Sequence, residues 1–168
     1  MEHKRKIPTL NEWIGGKEKL IELTSKFYDK VLKDDILEPV FKHMSPEHSK
    51  EVASFISESF GGEKTFTQKH GDNAMIYVIA KHLNKHLTEV HRKRWMQLIL
   101  ETADEIGLPD DPEFRGVLLG HLEWGTRFAV LMSNETNNPM TTQDEVPLFG
   151  WGDFGGPFGY VEPIFRKK

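Results

Sequence analysis

Two histidines in this sequence sit where an apolar helical stripe would carry them inward. From Met75 to Trp95 the chain reads MIYVIAKHLNKHLTEVHRKRW, and Met75, Val78 and Ile79 step at the helical period. The next position on that stripe is His82. A second stripe, His48, Val52, Phe55, Ile56, Ser59 and Phe60, also begins with a histidine, in the first turn of its helix. Tyr28 adds a phenol and Trp95 an indole N–H from two further stripes. Buried polar tips need partners. Either each of these four side chains bonds to backbone in an ordinary helical core, or together they surround one bound object. Imidazole is a natural ligand for haem iron, and an apolar helical pocket with a single such histidine can hold haem. A zinc reading of His82, His86 and His91 is weaker, because no H-E-x-x-H carboxylate accompanies them and Asn84 and Thr88 interrupt the helix between them. His121 lies on or beside a core stripe and reads as a satisfied core histidine. His3, His43, His70, His86 and His91 read as exposed.

The elements that position these groups are all helical. Leu10 to Ile14 is one apolar turn closed by Gly15-Gly16. A helix from Lys17 to Lys33 follows, with Leu20, Leu23, Phe27 and Val31 on its inner face and Glu22–Lys26 in the favourable i,i+4 order outside. A short segment covers Ile36 to Phe41. Ser45-Pro46 reads as a cap and first turn, and Gly61-Gly62 as the end of the helix it starts. Residues 63–73 are polar and read as irregular. Thr88 is a cap for a helix over Glu89 to Ile106, and Asp111-Pro112 starts a last helix that runs to Met132. No strand-like alternation and no internal repeat interrupts residues 10–134.

Composition narrows the function classes. The chain has 168 residues, enough for one domain with a substantial core. Its net charge of -4 gives no general attraction to nucleic acid or anionic membrane. No apolar run approaches the roughly 18 residues of a membrane span, and no signal-peptide core opens the chain, so the expected location is the cytoplasm. There is no cysteine, which excludes disulfides, thiolate ligands and C-x-x-C-H haem attachment. Residues 1–9 are expected to fray. Residues 135–168 change character: Pro139, Pro147, Pro157 and Pro163 are interspersed with Phe149, Trp151, Phe154, Phe158, Tyr160 and Phe165. Polar disorder does not hold so many aromatics, so this extension is expected to fold over the domain or over a neighbouring subunit of a homodimer.

Taken in order, several motifs resemble the truncated haemoglobins, specifically their second group. W-I-G-G at 13–16 matches the short first helix and its diglycine, and F-Y-D-K-V-L at 27–32 the helix that carries a distal tyrosine, here Tyr28. V-F at 40–41 places Phe41 at the spacing of the aromatic that wedges against haem. F-I-S-E-S-F-G-G at 55–62, K-H at 81–82, R-K-R-W at 92–95 and L-E-W-G at 122–125 continue the series. The resemblance spans about residues 10–134. The sequence departs from it at His48, where the group often has a small residue, in a longer segment between Gly62 and His82, and in the extension.

The resemblance implies an all-α, two-over-two truncated globin fold over 10–134. It implies haem b (iron protoporphyrin IX), held without covalent attachment, with His82 as the iron ligand. Phe41, Val52, Lys81 and Trp95 would contact the haem, and Tyr28, His48 and Trp95 would act on its ligand. Lys81 is a candidate partner for a haem propionate, as are Tyr77 and Arg94. The implied ligands are O2, nitric oxide and peroxide, with tight O2 binding and nitric oxide dioxygenase or peroxidase-like chemistry fed by an external electron donor. His48 reads as a hydrogen-bond donor or gate in preference to an iron ligand. The alternative is a globin-like sensor or interaction module that has lost haem, against which the pairing of an inward imidazole with an inward phenol argues.

Overall fold

The computed structural model describes residues 6–157. Within them eight α-helices follow in order: α1 Leu10–Ile14, α2 Lys17–Val31, α3 Glu38–Phe41, α4 His48–Ser59, α5 Thr65–His70, α6 Ala74–Ala80, α7 Glu89–Glu105 and α8 Pro112–Ser133. No strand occurs among the described residues. Helix α2 packs on α4 and on α7, and α7 packs on α8, which makes the two-over-two arrangement of a truncated globin. No helix among the described residues is long and apolar enough to cross a membrane.

Helix α2 forms the centre because its apolar residues recur at three and four positions. Leu20, Leu23, Thr24, Phe27 and Val31 are all buried on that stripe. The diglycine at 61–62 has a steric cause. A side chain at Gly62 would run into the Ser57 carbonyl at 2.8 Å, and Gly61 has φ +84°. With neither Cβ present, the end of α4 lies directly against α1, where the Asn11 N–H donates to the Phe60 carbonyl at 2.9 Å and Ser57 Oγ donates to Asn11 Oδ1 at 2.9 Å.

Several local expectations change. Ser45 and Pro46 form a turn ahead of α4, with the His48 N–H on the Ser45 carbonyl at 3.0 Å, so the helix itself begins at His48. The polar stretch 63–73 is not irregular: α5 and a 3₁₀ turn at Gly71–Asn73 occupy most of it. The buried carboxylate of Glu58 anchors α5 by accepting from the Thr67 N–H at 2.9 Å and from the Thr67 hydroxyl, and Phe66 is buried beside it. Pro8 and Thr9, within the stretch expected to fray, are engaged. Thr9 caps α1 in a reciprocal box with Glu12, and the Pro8 carbonyl accepts from Trp151 Nε1 at 2.7 Å. Val146 and Trp151 of the extension are buried, and the Phe149 N–H donates to the Ser59 carbonyl at 2.7 Å. Phe158, Tyr160 and Phe165 lie outside the described residues.

Asp111 does two jobs at the start of α8. One carboxylate oxygen accepts from the Phe114 N–H at 3.0 Å and the other from Trp13 Nε1 at 2.8 Å. Asp111→Ala removes both acceptors and is expected to cost about 1–3 kcal/mol in chemical denaturation. Asp111→Asn keeps an oxygen for the cap and should cost clearly less. Equal losses in the two variants would show that the cap to the Phe114 N–H contributes nothing.

Candidate functional site

Between the helix layers lies a cavity of about 420 Å³. Its lining includes Tyr28, Phe41, His48, Val52, Lys81, His82 and Trp95, all singled out from the sequence. The geometry of α2 and α4 explains the first group. Tyr28 follows fully buried Phe27 on α2, and its ring stands 4.8 Å from that of Phe27. His48, the first residue of α4, meets it with Nε2 3.0 Å from the Tyr28 hydroxyl oxygen. Phe41, at the end of α3, closes this corner with its ring 5.7 Å from Tyr28 and 6.2 Å from His48. Val52 lies one turn after His48 on the same face. Trp95 reaches the cavity from α7, with its ring 4.9 Å from Phe27.

The protonation states are set mainly by burial. It raises the Tyr28 pKa far above the ordinary phenol value, offset in part by a hydrogen bond from Trp95, so Tyr28 keeps its proton. Burial, with the nearby charges of Lys81 and His82, pushes the His48 pKa down to about 4, against a smaller upward pull from Glu51. Tyr28 is therefore a neutral phenol beside a neutral imidazole, and the two share a hydrogen bond.

His82 enters from another element. Helix α6 ends at Ala80, and His82 sits in the turn beyond it with its N–H on the Ile79 carbonyl at 2.9 Å. Its ring Nδ1 donates to the Val78 carbonyl at 2.8 Å, which fixes the tautomer and leaves Nε2 as the unprotonated nitrogen. Burial lowers its pKa, opposed by that carbonyl. A neutral imidazole with one nitrogen held on a backbone carbonyl is the form in which histidine ligates a metal. Apolar walls from Val52, Phe55, Ile79, Leu122 and Phe128 suit the body of a large flat apolar group, and Lys81 and Lys85 on the lining suit anionic substituents, while Arg92 is taken up by Glu89 and Glu123. The residues present therefore fit haem.

Not every expectation falls here. Arg94 does not line the cavity; its Nε is bound to Asp34 Oδ2 at 2.6 Å. Tyr77 does line it, but its hydroxyl donates to Glu51, its ring stacks on His70 at 3.9 Å, and Lys81 Nζ lies 4.8 Å over that ring. His70, expected to be exposed, is thus largely covered. His91 also lines the cavity and accepts from the Thr88 N–H at 3.0 Å. The sequence reading also missed the α8 wall. Trp124 and Phe128 stack at 6.0 Å, and Phe149 of the extension packs on Trp124 and His121. His121 is buried as expected but is not satisfied: neither ring nitrogen has a hydrogen-bond partner. Its place on the α8 stripe was the one available signal.

Burial lowers the pKa of His121 to about 4 from an ordinary 6.5. Below pH 6.5 the unfolded chain takes up a proton that the folded chain does not, so the fold loses stability as pH falls from 6.5 toward 4. His121→Phe should flatten that decline when denaturation midpoints at pH 7.5 and pH 4.5 are compared; an unchanged decline would remove His121 as its source.

Comparison with known proteins agrees with this geometry. A family profile described as bacterial-like globin matches residues 9–116. Over 115 residues the chain is 29% identical to the group 2 truncated haemoglobin YjbI of Bacillus subtilis, a match covering 68% of this chain and 83% of that protein. Among solved structures, a truncated oxygen-avid haemoglobin from Bacillus subtilis is similar with a TM-score of 0.63 at 28% identity, covering 73% of this chain and 99% of that one. The group II truncated haemoglobin of Bacillus anthracis gives a TM-score of 0.64 at 24% identity, over 80% and 98%. The chain belongs to the bacterial-like globin family, and the relatives it resembles include truncated haemoglobins of the second group.

Proposed function

We propose that the cavity holds haem b with His82 Nε2 as the iron ligand, and that the protein retains O2 and related diatomic ligands tightly. The observation that carries this reading is the bond from His82 Nδ1 to the Val78 carbonyl, which leaves a neutral nitrogen for a metal. Phe41, Val52 and Trp95 would pack on the group, and Lys81 would pair with a propionate. When bound, haem supplies an iron that takes diatomic ligands and exchanges electrons. The similar truncated haemoglobin from Bacillus subtilis is oxygen-avid, which supports the same property here.

The donor set gives the reason for tight retention. A ligand that draws negative charge onto its outer atoms is stabilised by N–H and O–H groups already aimed at it. Tyr28 keeps its proton, and Trp95 keeps an indole N–H. Each well-placed donor to a charged partner is worth about 1.5–3 kcal/mol, or roughly 10- to 100-fold in release rate. His48 competes with a ligand for the phenol proton, because its Nε2 is already within hydrogen-bond distance. It is therefore a gate. Slow release suits sensing, scavenging, nitric oxide dioxygenation or peroxide reduction better than bulk transport, and turnover would require an external electron donor. Nothing in the cavity favours the haem-free module.

The absorption spectrum tests the reading directly. Protein supplied with haem should show a Soret band that His82→Ala abolishes; absence of the band in the wild type would sink the proposal. Tyr28→Phe should release O2 roughly 10- to 100-fold faster in stopped-flow measurements. For His48, a low-spin bis-histidine ferric spectrum that disappears in His48→Ala would make it an iron ligand and overturn the gate.

A further inference from the structure

The turn that carries His82 has an unusual backbone. Asn84 and His86 have φ of +58° and +51°, the only non-glycine residues with positive φ among those described. Both side chains are exposed, so no side-chain packing explains the conformation. Left-handed backbone at such residues costs energy and persists where the surroundings over-determine it.

Those surroundings are the end of α8 and the first residues of the extension. The Asn84 N–H donates to the Glu135 carbonyl at 3.2 Å and the His86 N–H to the Ser133 carbonyl at 3.0 Å. The Leu87 N–H donates to Ser133 Oγ at 2.9 Å. Ser133 is fully buried, so these bonds form away from competing water. Upstream of His82 a second tether acts. Asn138 Nδ2 donates to the Ile76 carbonyl at 2.8 Å, and the Met140 N–H holds Asn138 in place by donating to its Oδ1 at 3.0 Å. Ile76 lies in α6 beside Val78, whose carbonyl holds the His82 ring. The histidine is thus bracketed by contacts to one segment, residues 133–138, which lies beyond the 9–116 family match.

We propose that residues 133–138 form a strap that positions His82, with Ser133 and Asn138 as positioning residues for the bond between His82 Nε2 and haem iron. The inference rests on the haem reading above. The left-handed residues let the chain fold back onto α8 within one short turn, and the strap's carbonyls hold them there. Helix α6 is short, and its packing alone leaves the turn beyond it without a fixed partner. The strap supplies that partner, so the imidazole meets the iron in one orientation.

The test uses the full-length, haem-loaded ferrous protein and resonance Raman spectroscopy of the iron–histidine stretch. Asn138→Asp keeps the shape of the side chain but loses the donor, and Ser133→Ala loses the hydroxyl. The double variant should shift or broaden the iron–histidine band, while the C–O stretch of its carbon monoxide adduct, which reports the Tyr28 side, stays at the wild-type position. Asn84→Gly/His86→Gly removes the backbone penalty without removing a strap contact. It should fold at least as stably as the wild type and shift the band less than the strap variant, and it carries the test if the strap variant does not fold, through a broadened band. An iron–histidine band unchanged in both variants would overturn the strap. So would a C–O stretch that moves together with it, since that marks general loosening. A wild-type protein with no His82-dependent iron–histidine band would instead overturn the haem reading.

Discussion

The ring of Phe27 is where the two helix layers are held in register. It is fully buried on α2 and makes edge contacts with Tyr28 at 4.8 Å and with Trp95 of α7 at 4.9 Å. Aromatic edge contacts of this kind add about 0.5–1.5 kcal/mol beyond the area they bury. Their larger consequence here is geometric. Phe27 sets the distance between α2 and α7, and so the distance between a phenol and an indole N–H that come from separate helices. Tyr28 in turn fixes His48 through a 3.0 Å hydrogen bond, and Phe41 packs on both rings. The polar corner of the cavity is the outer surface of an apolar contact.

The opposite flank is built on another principle. His82 belongs to no helix; hydrogen bonding to the end of α8 holds its turn, and the Asn138 side chain holds the Ile76 carbonyl of α6 ahead of it. One side of the cavity is positioned by packing, which is tolerant of small changes in side-chain shape, and the other by hydrogen bonds, which are directional. A directional tether suits the iron-ligand role proposed for His82, since misorientation of a ligating ring weakens its bond.

This difference also decides what could be read from the sequence. Packing leaves a periodic trace: the stripes of α2, α4, α7 and α8 gave the four principal helices, and they turned Tyr28, His48 and Trp95 inward correctly. The diglycine at 61–62 was legible as a helix end, although its reason, the close approach of Ser57 and Thr9, needs the fold. Tethers leave no such trace. Helix α5 hides in a polar stretch because it is anchored by the buried carboxylate of Glu58, far from any apolar period. Asn138 and Ser133 look like ordinary loop residues until their partners at Ile76 and Leu87 are seen. His70 reads as exposed because stacking on Tyr77 is a tertiary contact. His121 lay on a legible stripe, but whether its nitrogens find partners depends on a wall assembled from Phe55, Phe60, Trp124 and Phe149.

Burial drives the three inward imidazoles, His48, His82 and His121, in one direction, toward the neutral form. A neutral imidazole has one N–H and one lone pair, and the cavity disposes of them differently in each case. His82 gives its N–H to Val78 and keeps the lone pair. His48 has its Nε2 3.0 Å from the Tyr28 hydroxyl, within hydrogen-bond distance of a phenol that keeps its proton. The two histidines are therefore not interchangeable as metal ligands. The lone pair of His82 is unopposed, whereas His48 must give up a hydrogen bond from Tyr28 before its Nε2 is free. That bond, worth about 0.5–1.5 kcal/mol as a neutral pair, is small enough for an incoming ligand to break and large enough to bias the resting state. On the reading proposed above, it separates His82 as the iron ligand from His48 as the gate.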